Sequence, residues 1–199
     1  MSNGKIFITG PGRSGTTFLV QLLTRLGFDT GYEPYEELYH PIIRAGCEWS
    51  IAFFGLSPTQ QRVNLERSPR IIKGPEWSRG LKEIFANDIC KVDHVLIPIR
   101  DLRVAAQSRL DAKLHYMTDG TLDDQESVHA YLLGKCIEAV ELYNIPYTIM
   151  RFPKFVKNSA YCWDKLKRAA RWELLEADSY FLQEFDKLSN PENIKWKHQ

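Results

Sequence analysis

Short apolar runs alternate along the chain with longer segments in which apolar residues recur every three or four positions. The runs have the length and β-branched content of buried strands, whereas the longer segments have the period of amphipathic helices. The pattern predicts strands at residues 5–9, 70–73, 93–99 and 146–152, with 28–30 as a short strand or an extended link. Strands that are apolar along their whole length lie in parallel sheets covered on both faces. We therefore expect a three-layer α/β/α domain with a mainly parallel sheet.

The helices are predicted from the spacing of apolar residues and from residues that commonly begin or end a helix. Ser57 is expected to cap the helix that starts at Pro58, and Gly27 to end the first helix. The segment from Tyr35 to Phe54 is also predicted to be helical, although its pattern is mixed. The other predicted helices span residues 16–26, 58–66, 78–85, 101 to about 117, 124–143, 159–175 and 179–188.

Composition and charge narrow the functional classes. The 199 residues carry a net charge of +1, which gives no overall attraction to nucleic acid or to a membrane, so any cationic site must be local. With 44% hydrophobic residues we expect a single domain over residues 1–199, with a loosely ordered tail from about residue 189. The four cysteines form no C-x-x-C pair, which argues against a structural zinc site. Without a membrane-length apolar run or room for a secretory signal, we expect a soluble, cytoplasmic protein.

The first apolar run leads into a glycine-rich loop, Gly10-Pro11-Gly12-Arg13-Ser14-Gly15-Thr16-Thr17, and a helix is predicted to open at Thr16. A loop at a helix N-terminus presents unpaired backbone N–H groups and the positive end of the helix dipole, which together favour anions. The spacing matches G-x-x-x-x-G-K-[ST], except that Thr16 takes the lysine position and Arg13 is the nearest cation. The loop predicts phosphate binding on a P-loop NTPase-like fold, and the missing lysine argues against ordinary ATP or GTP chemistry.

Basic residues follow several predicted strands, at the edge where parallel sheets bind ligands. Besides Arg13 in the loop, they are Lys73, Arg100, and Arg151 with Lys154. Each one alone is explained equally well by the need for a solvated group at a strand end. Together with the glycine-rich loop, they indicate a pocket for a multiply charged anion.

A second motif lies in the segment from Leu96 to Arg109, where a strand ends in Arg100-Asp101 and Ser108 follows eight residues after the arginine. With the R-S-G-T-T loop, this order resembles the sulfotransferases that use 3′-phosphoadenosine 5′-phosphosulfate (PAPS) and release 3′-phosphoadenosine 5′-phosphate (PAP). The resemblance covers scattered parts of the first 110 or so residues. It implies that Arg100 and Ser108 hold the 3′-phosphate. It also implies that the 5′-phosphosulfate is held by Gly12, Arg13, Ser14, Gly15, Thr16 and Thr17.

The resemblance further implies in-line transfer of a sulfuryl group to a hydroxyl or amine of a small-molecule or carbohydrate acceptor, with no metal required. Arg13 is then expected to compensate the charge of the leaving group, and Lys73 to point at the transferred group. The chain has no counterpart of the glycine-rich, basic C-terminal segment that completes the PAPS site in many members of the family. Arg151, Phe152 or Lys154 are the residues expected to take its place.

The general base is predicted from the same resemblance. The histidine that some branches place two residues after the strand lysine is absent, because Pro75 stands there. Glu33, after residues 28–30, lies at nearly the spacing of the branches that use a glutamate, and is the first candidate. Glu76 is the second candidate, with Glu36 or Glu37 behind it.

Two other functional classes are compatible with a glycine-rich loop on this fold. A small-molecule or nucleotide kinase is disfavoured by Thr16 at the lysine position and by Arg100, rather than an acidic residue, at the end of the strand 93–99. A non-catalytic nucleotide-binding module would be favoured if no carboxylate approached the transferred group. The aromatic residues between the loop and Lys73 fit either an acceptor pocket or a core.

Overall fold

Four parallel strands form the centre of the described structure: β1 (Lys5–Ile8), β2 (Ile71–Lys73), β3 (Val92–Ile99) and β4 (Tyr147–Arg151). They lie in the order β2-β1-β3-β4. The structure is a computed structural model that describes residues 4–33, 54–113, 120–169 and 178–189. Ile8 is level with Lys73 on one side and with Leu96 on the other, so β1 and β2 end together while β3 continues beyond them. At the other edge, β3 and β4 end together, because Ile99 pairs with Arg151.

Helices cover both faces of this sheet. The two faces carry separate apolar clusters, because successive side chains of a strand point to opposite sides. Within the described residues the helices are α1 (Thr16–Arg25), α2 (Pro58–Glu66), α3 (Trp77–Ala86), α4 (Leu102–Asp111), α5 (Leu122–Leu142), α6 (Lys154–Lys157), α7 (Ser159–Ala169) and α8 (Asp178–Ser189). Ile6 and Ile8 pack in one cluster with α1, α7 and α8, whereas Phe7 packs in the other with α2, α3 and α5. The predicted α/β fold with three layers and a parallel sheet is therefore confirmed.

Helix α2 begins and ends where the sequence predicts. Its cap is a reciprocal pair: the Gln60 main-chain N–H donates to Ser57 Oγ over 3.4 Å, and the Ser57 main-chain N–H donates to Gln60 Oε1 over 3.1 Å. This capping box satisfies two donors that a helix N-terminus otherwise leaves unpaired. Gly27 follows the end of α1 with a φ of 85°, a left-handed conformation that glycine adopts readily.

The structure differs from the prediction in helices α4 and α6, and it decides between the two alternatives for residues 28–30. The helix predicted to run from residue 101 to about 117 is too long, since α4 ends at Asp111 and Lys113 has a left-handed φ of 53° that interrupts the helix. Of the two alternatives predicted for residues 28–30, the structure has the extended link, in which the Asp29 carbonyl accepts a hydrogen bond from Ile71 N over 2.9 Å. The short helix α6 was not predicted.

Some predictions lie outside the described residues. They include the helix over 35–54 apart from its last residue, the carboxylates Glu36 and Glu37, the end of the helix predicted at 159–175, and the tail beyond residue 189. No helix within the described ranges is long and apolar enough to cross a membrane.

Candidate anion-binding site

The glycine-rich loop, residues 10–17, is anchored at its start by Thr9. Thr9 Oγ1 donates to the Gly74 carbonyl over 2.8 Å and accepts from Ser78 Oγ over 3.0 Å, since its single hydrogen is used by the carbonyl. The Thr9 main-chain N–H donates to the Leu96 carbonyl, so the sheet pairing continues one residue past β1. These bonds fix where the loop leaves the sheet.

Within the loop, the backbone has the turns that an anion cradle needs. Arg13 has a φ of 66° and Gly15 a φ of 87°. Left-handed residues in a loop turn successive N–H groups toward the same side, an arrangement that binds anions. Ser14 is fully buried and its hydroxyl donates to the Pro11 carbonyl over 2.6 Å, so the Ser14 side chain is used within the loop itself. Thr16 is also buried, and Thr17 lies beside it in the first turn of α1.

The two motifs recognised in the sequence meet in space. Arg13 Nε donates to Ser108 Oγ over 3.1 Å, which joins the loop to the last turn of α4. Arg100 Nη1 donates to the Arg13 carbonyl over 3.4 Å. Burial lowers the pKa of Arg100, while the charge of Asp101 acts in the opposite direction. Arginine stays charged in proteins, so two guanidinium groups and a hydroxyl lie beside the loop.

Phe152 contacts both Arg100 and the loop. The Arg100 guanidinium carbon is 5.0 Å from the centre of the Phe152 ring, a cation–π distance. On the other side, the rings of Phe152 and Phe155 stand so close to Gly15 that a Cβ there would lie 2.6 Å and 2.7 Å from their atoms. Glycine at residue 15 is therefore required both by the backbone conformation and by the close approach of these rings.

The residues at and after the end of β2 lie beside the loop. Lys73, at the end of β2, is only 2% exposed, and the following main-chain N–H of Gly74 donates to the Ile8 carbonyl over 3.2 Å. A Cβ built on Gly74 would lie 2.7 Å from Glu76 Oε1, so the Glu76 carboxylate folds back over the strand end. A Cβ built on Gly12 would lie 3.9 Å from Pro75 Cγ, which brings this segment against the loop.

Glu33 and Glu76 lie in different surroundings. Glu33 is exposed and follows the extended link beside β2. The link ends at the buried Thr30, whose hydroxyl shares a 2.6 Å hydrogen bond with Thr24 of α1. Glu33 follows three residues later, where its carboxylate is accessible to solvent. The described residues include no group of three or more histidine, cysteine, aspartate and glutamate side chains placed to hold a metal ion.

Two contacts at the loop were not predicted from the sequence. Phe155 of α6 reaches Gly15, and Arg109 of α4 reaches Gly12, where a built Cβ would lie 2.9 Å from Arg109 Nη1. The signal for Arg109 was present, since it directly follows Ser108, which the resemblance singled out. No comparable signal marked Phe155, because its contact depends on where β4 lies in the sheet.

No protein-family model matches the sequence, and a search of curated proteins finds no significant match.

Proposed function

We propose that this protein is a sulfotransferase that moves the sulfuryl group of PAPS to a hydroxyl or amine of a small-molecule or carbohydrate acceptor. The observation that carries the proposal is the contact of Arg13 with both Ser108 and Arg100. A ligand whose 5′ end lies in the glycine-rich loop would then present a 3′-phosphate to Arg100 and Ser108. The arginine fork suits this role because it donates two parallel hydrogen bonds to phosphate oxygens.

The proposed reaction breaks the bond between sulfur and the bridging oxygen of the 5′-phosphate and forms a bond between sulfur and the acceptor oxygen or nitrogen. The proton of the acceptor passes to a carboxylate, and PAP leaves with one more negative charge on its 5′-phosphate. Donors in place before the reaction stabilise such developing charge best. The loop N–H groups, Arg13 and Lys73 are assigned to this task.

Glu33 is the proposed general base and Glu76 its alternative. Glu33 is exposed, so its carboxylate is accessible to an acceptor that enters from solvent. Glu76 follows Pro75, which lies beside Gly12 of the loop, but its carboxylate folds back over Gly74. The proposal therefore keeps Glu33 first, on the resemblance and on its accessibility.

Thermal unfolding in the presence of nucleotides tests the proposal against its alternatives. PAP without magnesium is expected to raise the melting temperature, because a ligand that binds only the native state stabilises it. PAPS with a panel of hydroxyl and amine acceptors is expected to yield PAP. Stabilisation by Mg-ATP but not by PAP would favour a kinase, and binding of PAP without turnover of any acceptor would favour a non-catalytic module.

A further inference from the structure

Helix α4 contacts the glycine-rich loop through two consecutive residues, Ser108 and Arg109. Ser108 accepts the hydrogen bond from Arg13, while the Arg109 guanidinium occupies the space that a side chain at residue 12 would fill. A Cβ on Gly12 would lie 2.9 Å from Arg109 Nη1, too close for a side chain without a shift of the guanidinium. Arg109 is 9% exposed, so its charge is largely enclosed by protein.

The side of Gly12 that faces Arg109 also faces the segment after β2. The same built Cβ would lie 3.9 Å from Pro75 Cγ, and Glu76 folds back over Gly74 in that segment. Arg109 and the segment after β2 therefore meet at Gly12. Arg100 and Phe152 contact other loop residues, Arg13 and Gly15.

The electrostatic neighbour of Arg109 on α5 is His129. Burial, together with a smaller effect of the Arg109 charge, lowers the pKa of His129 to about 4. His129 is fully buried and neutral at pH 7, whereas an arginine stays protonated in proteins. His129 therefore adds no charge here, and the Arg109 guanidinium places a cationic group beside Gly12 of the loop.

The loop lacks the cation that loops of this spacing usually carry. Loops of this spacing usually carry a lysine where Thr16 stands, and that lysine reaches the outermost transferred group of the ligand. Arg13 lies within the loop, but its Nε is directed to Ser108. Arg109 supplies a cation from α4 instead, and the missing side chain at Gly12 gives it access.

We infer that Arg109 binds the transferred sulfuryl group, donating hydrogen bonds from its guanidinium to the sulfuryl oxygens of PAPS. The inference rests on the proposed function and adds a residue of α4 to the loop residues and Lys73, to which the resemblance assigns the phosphosulfate and the transferred group. Arg100 and Ser108 serve the group that stays on the nucleotide, whereas Arg109 serves the group that moves to the acceptor. The planar fork of arginine matches two sulfuryl oxygens as it matches two phosphate oxygens.

The test compares PAPS with PAP, which lacks only the sulfuryl group, by calorimetric titration without acceptor. Arg109→Gln is expected to weaken PAPS binding about 10-fold or more, the usual effect of losing a charge-assisted hydrogen bond, and to leave PAP affinity unchanged. Gly12→Ala is expected to change the ratio of the two affinities in the same direction, because its Cβ takes the place of Nη1. Arg103→Gln is the matched control on the same helix, since Arg103 is exposed and binds Asp123 and Glu126 at the surface.

Equal losses of PAP and PAPS affinity in Arg109→Gln would overturn the inference, because they would mean that Arg109 only shapes the loop. An unchanged ratio with unchanged affinities would overturn it as well. If circular dichroism shows that Arg109→Gln does not fold, Arg109→Lys decides on the same ratio, with a selective loss for PAPS as the supporting result. Wild-type protein that binds neither nucleotide would instead refute the proposed function, a result distinct from any change of the ratio.

Discussion

Gly15 and Phe152 pack against each other so closely that a Cβ at residue 15 would lie 2.6 Å from Cδ2 of the ring. The same ring lies under the Arg100 guanidinium and meets Phe155 edge-on, with ring centres 5.9 Å apart. Phe152 follows β4, whereas the loop follows β1 and Arg100 follows β3. Phe152, which follows β4, therefore contacts both parts of the candidate site, the glycine-rich loop and Arg100.

The packing of Gly15 predicts a difference between two glycines with the same backbone conformation. Gly15→Ala and Gly27→Ala both place a Cβ on a left-handed residue, with φ of 87° and 85°, which costs about 1 kcal/mol in each. Only Gly15→Ala also forces the rings of Phe152 and Phe155 to move, since nothing lies within 4 Å of a Cβ at Gly27. Overpacking of this kind adds about 1–3 kcal/mol, so Gly15→Ala is expected to lower the free energy of unfolding more. Urea denaturation of the two variants measures the difference, and equal losses would contradict the packing.

Arg100 is expected to distinguish ligands by their 3′-phosphate. Arg100→Ala is expected to weaken PAP binding about 10-fold or more, because a charged hydrogen-bonding partner of the phosphate is lost. Binding of adenosine 5′-phosphosulfate, which has no 3′-phosphate, is expected to change far less. Titration calorimetry with both ligands gives the comparison, and Arg103→Ala, at an exposed position of α4, is the control. Similar losses for both ligands would remove Arg100 from the 3′-phosphate.

Much of the fold follows from local sequence signals. The apolar strands, the glycine-rich loop and the Ser57 cap of α2 all depend on residues close together in the chain, and each lies within two residues of its predicted place. The approach of Arg100 to the loop was expected for a related reason, because carboxyl ends of parallel strands share one edge of a sheet.

What the sequence did not predict depends on contacts between distant segments. Phe155 reaches Gly15 only because the short helix α6 turns back toward the loop after β4, and no periodic pattern marks a helix of four residues. The early end of α4 depends on the left-handed Lys113, a residue type with no preference for that conformation. The fold of Glu76 over Gly74 likewise depends on a missing side chain beside it rather than on a motif.

The two candidate bases, Glu33 and Glu76, are distinguished by the turnover that remains when each is changed to glutamine. Glu33→Gln is expected to lower turnover of PAPS by about 10²–10⁴-fold, the usual contribution of a general base, with PAP affinity unchanged. Glu76→Gln is expected to have a smaller effect, because its carboxylate is folded onto the end of β2. Steady-state release of PAP, measured beside PAP titration, separates turnover from binding. Loss of turnover in Glu76→Gln with retention in Glu33→Gln would transfer the role of base to Glu76.

The buried His94 side chain is expected to make the folded protein less stable in mild acid. It is 5% exposed and its Nε2 lies 2.9 Å from Thr148 Oγ1, and burial lowers its pKa to about 4 from an unfolded value near 6.5. Between these two pH values the unfolded chain binds a proton that the native protein does not, so the free energy of unfolding falls as the pH decreases through this window. One such group contributes a slope of about 1.4 kcal/mol per pH unit, and its stabilisation is complete above about pH 6.5. Urea denaturation between these pH values is expected to give a shallower slope for His94→Gln, by up to one proton, because glutamine keeps a polar partner for Thr148 without titrating. Identical slopes in the variant and the wild type would show that His94 takes up its proton equally in the folded and unfolded states.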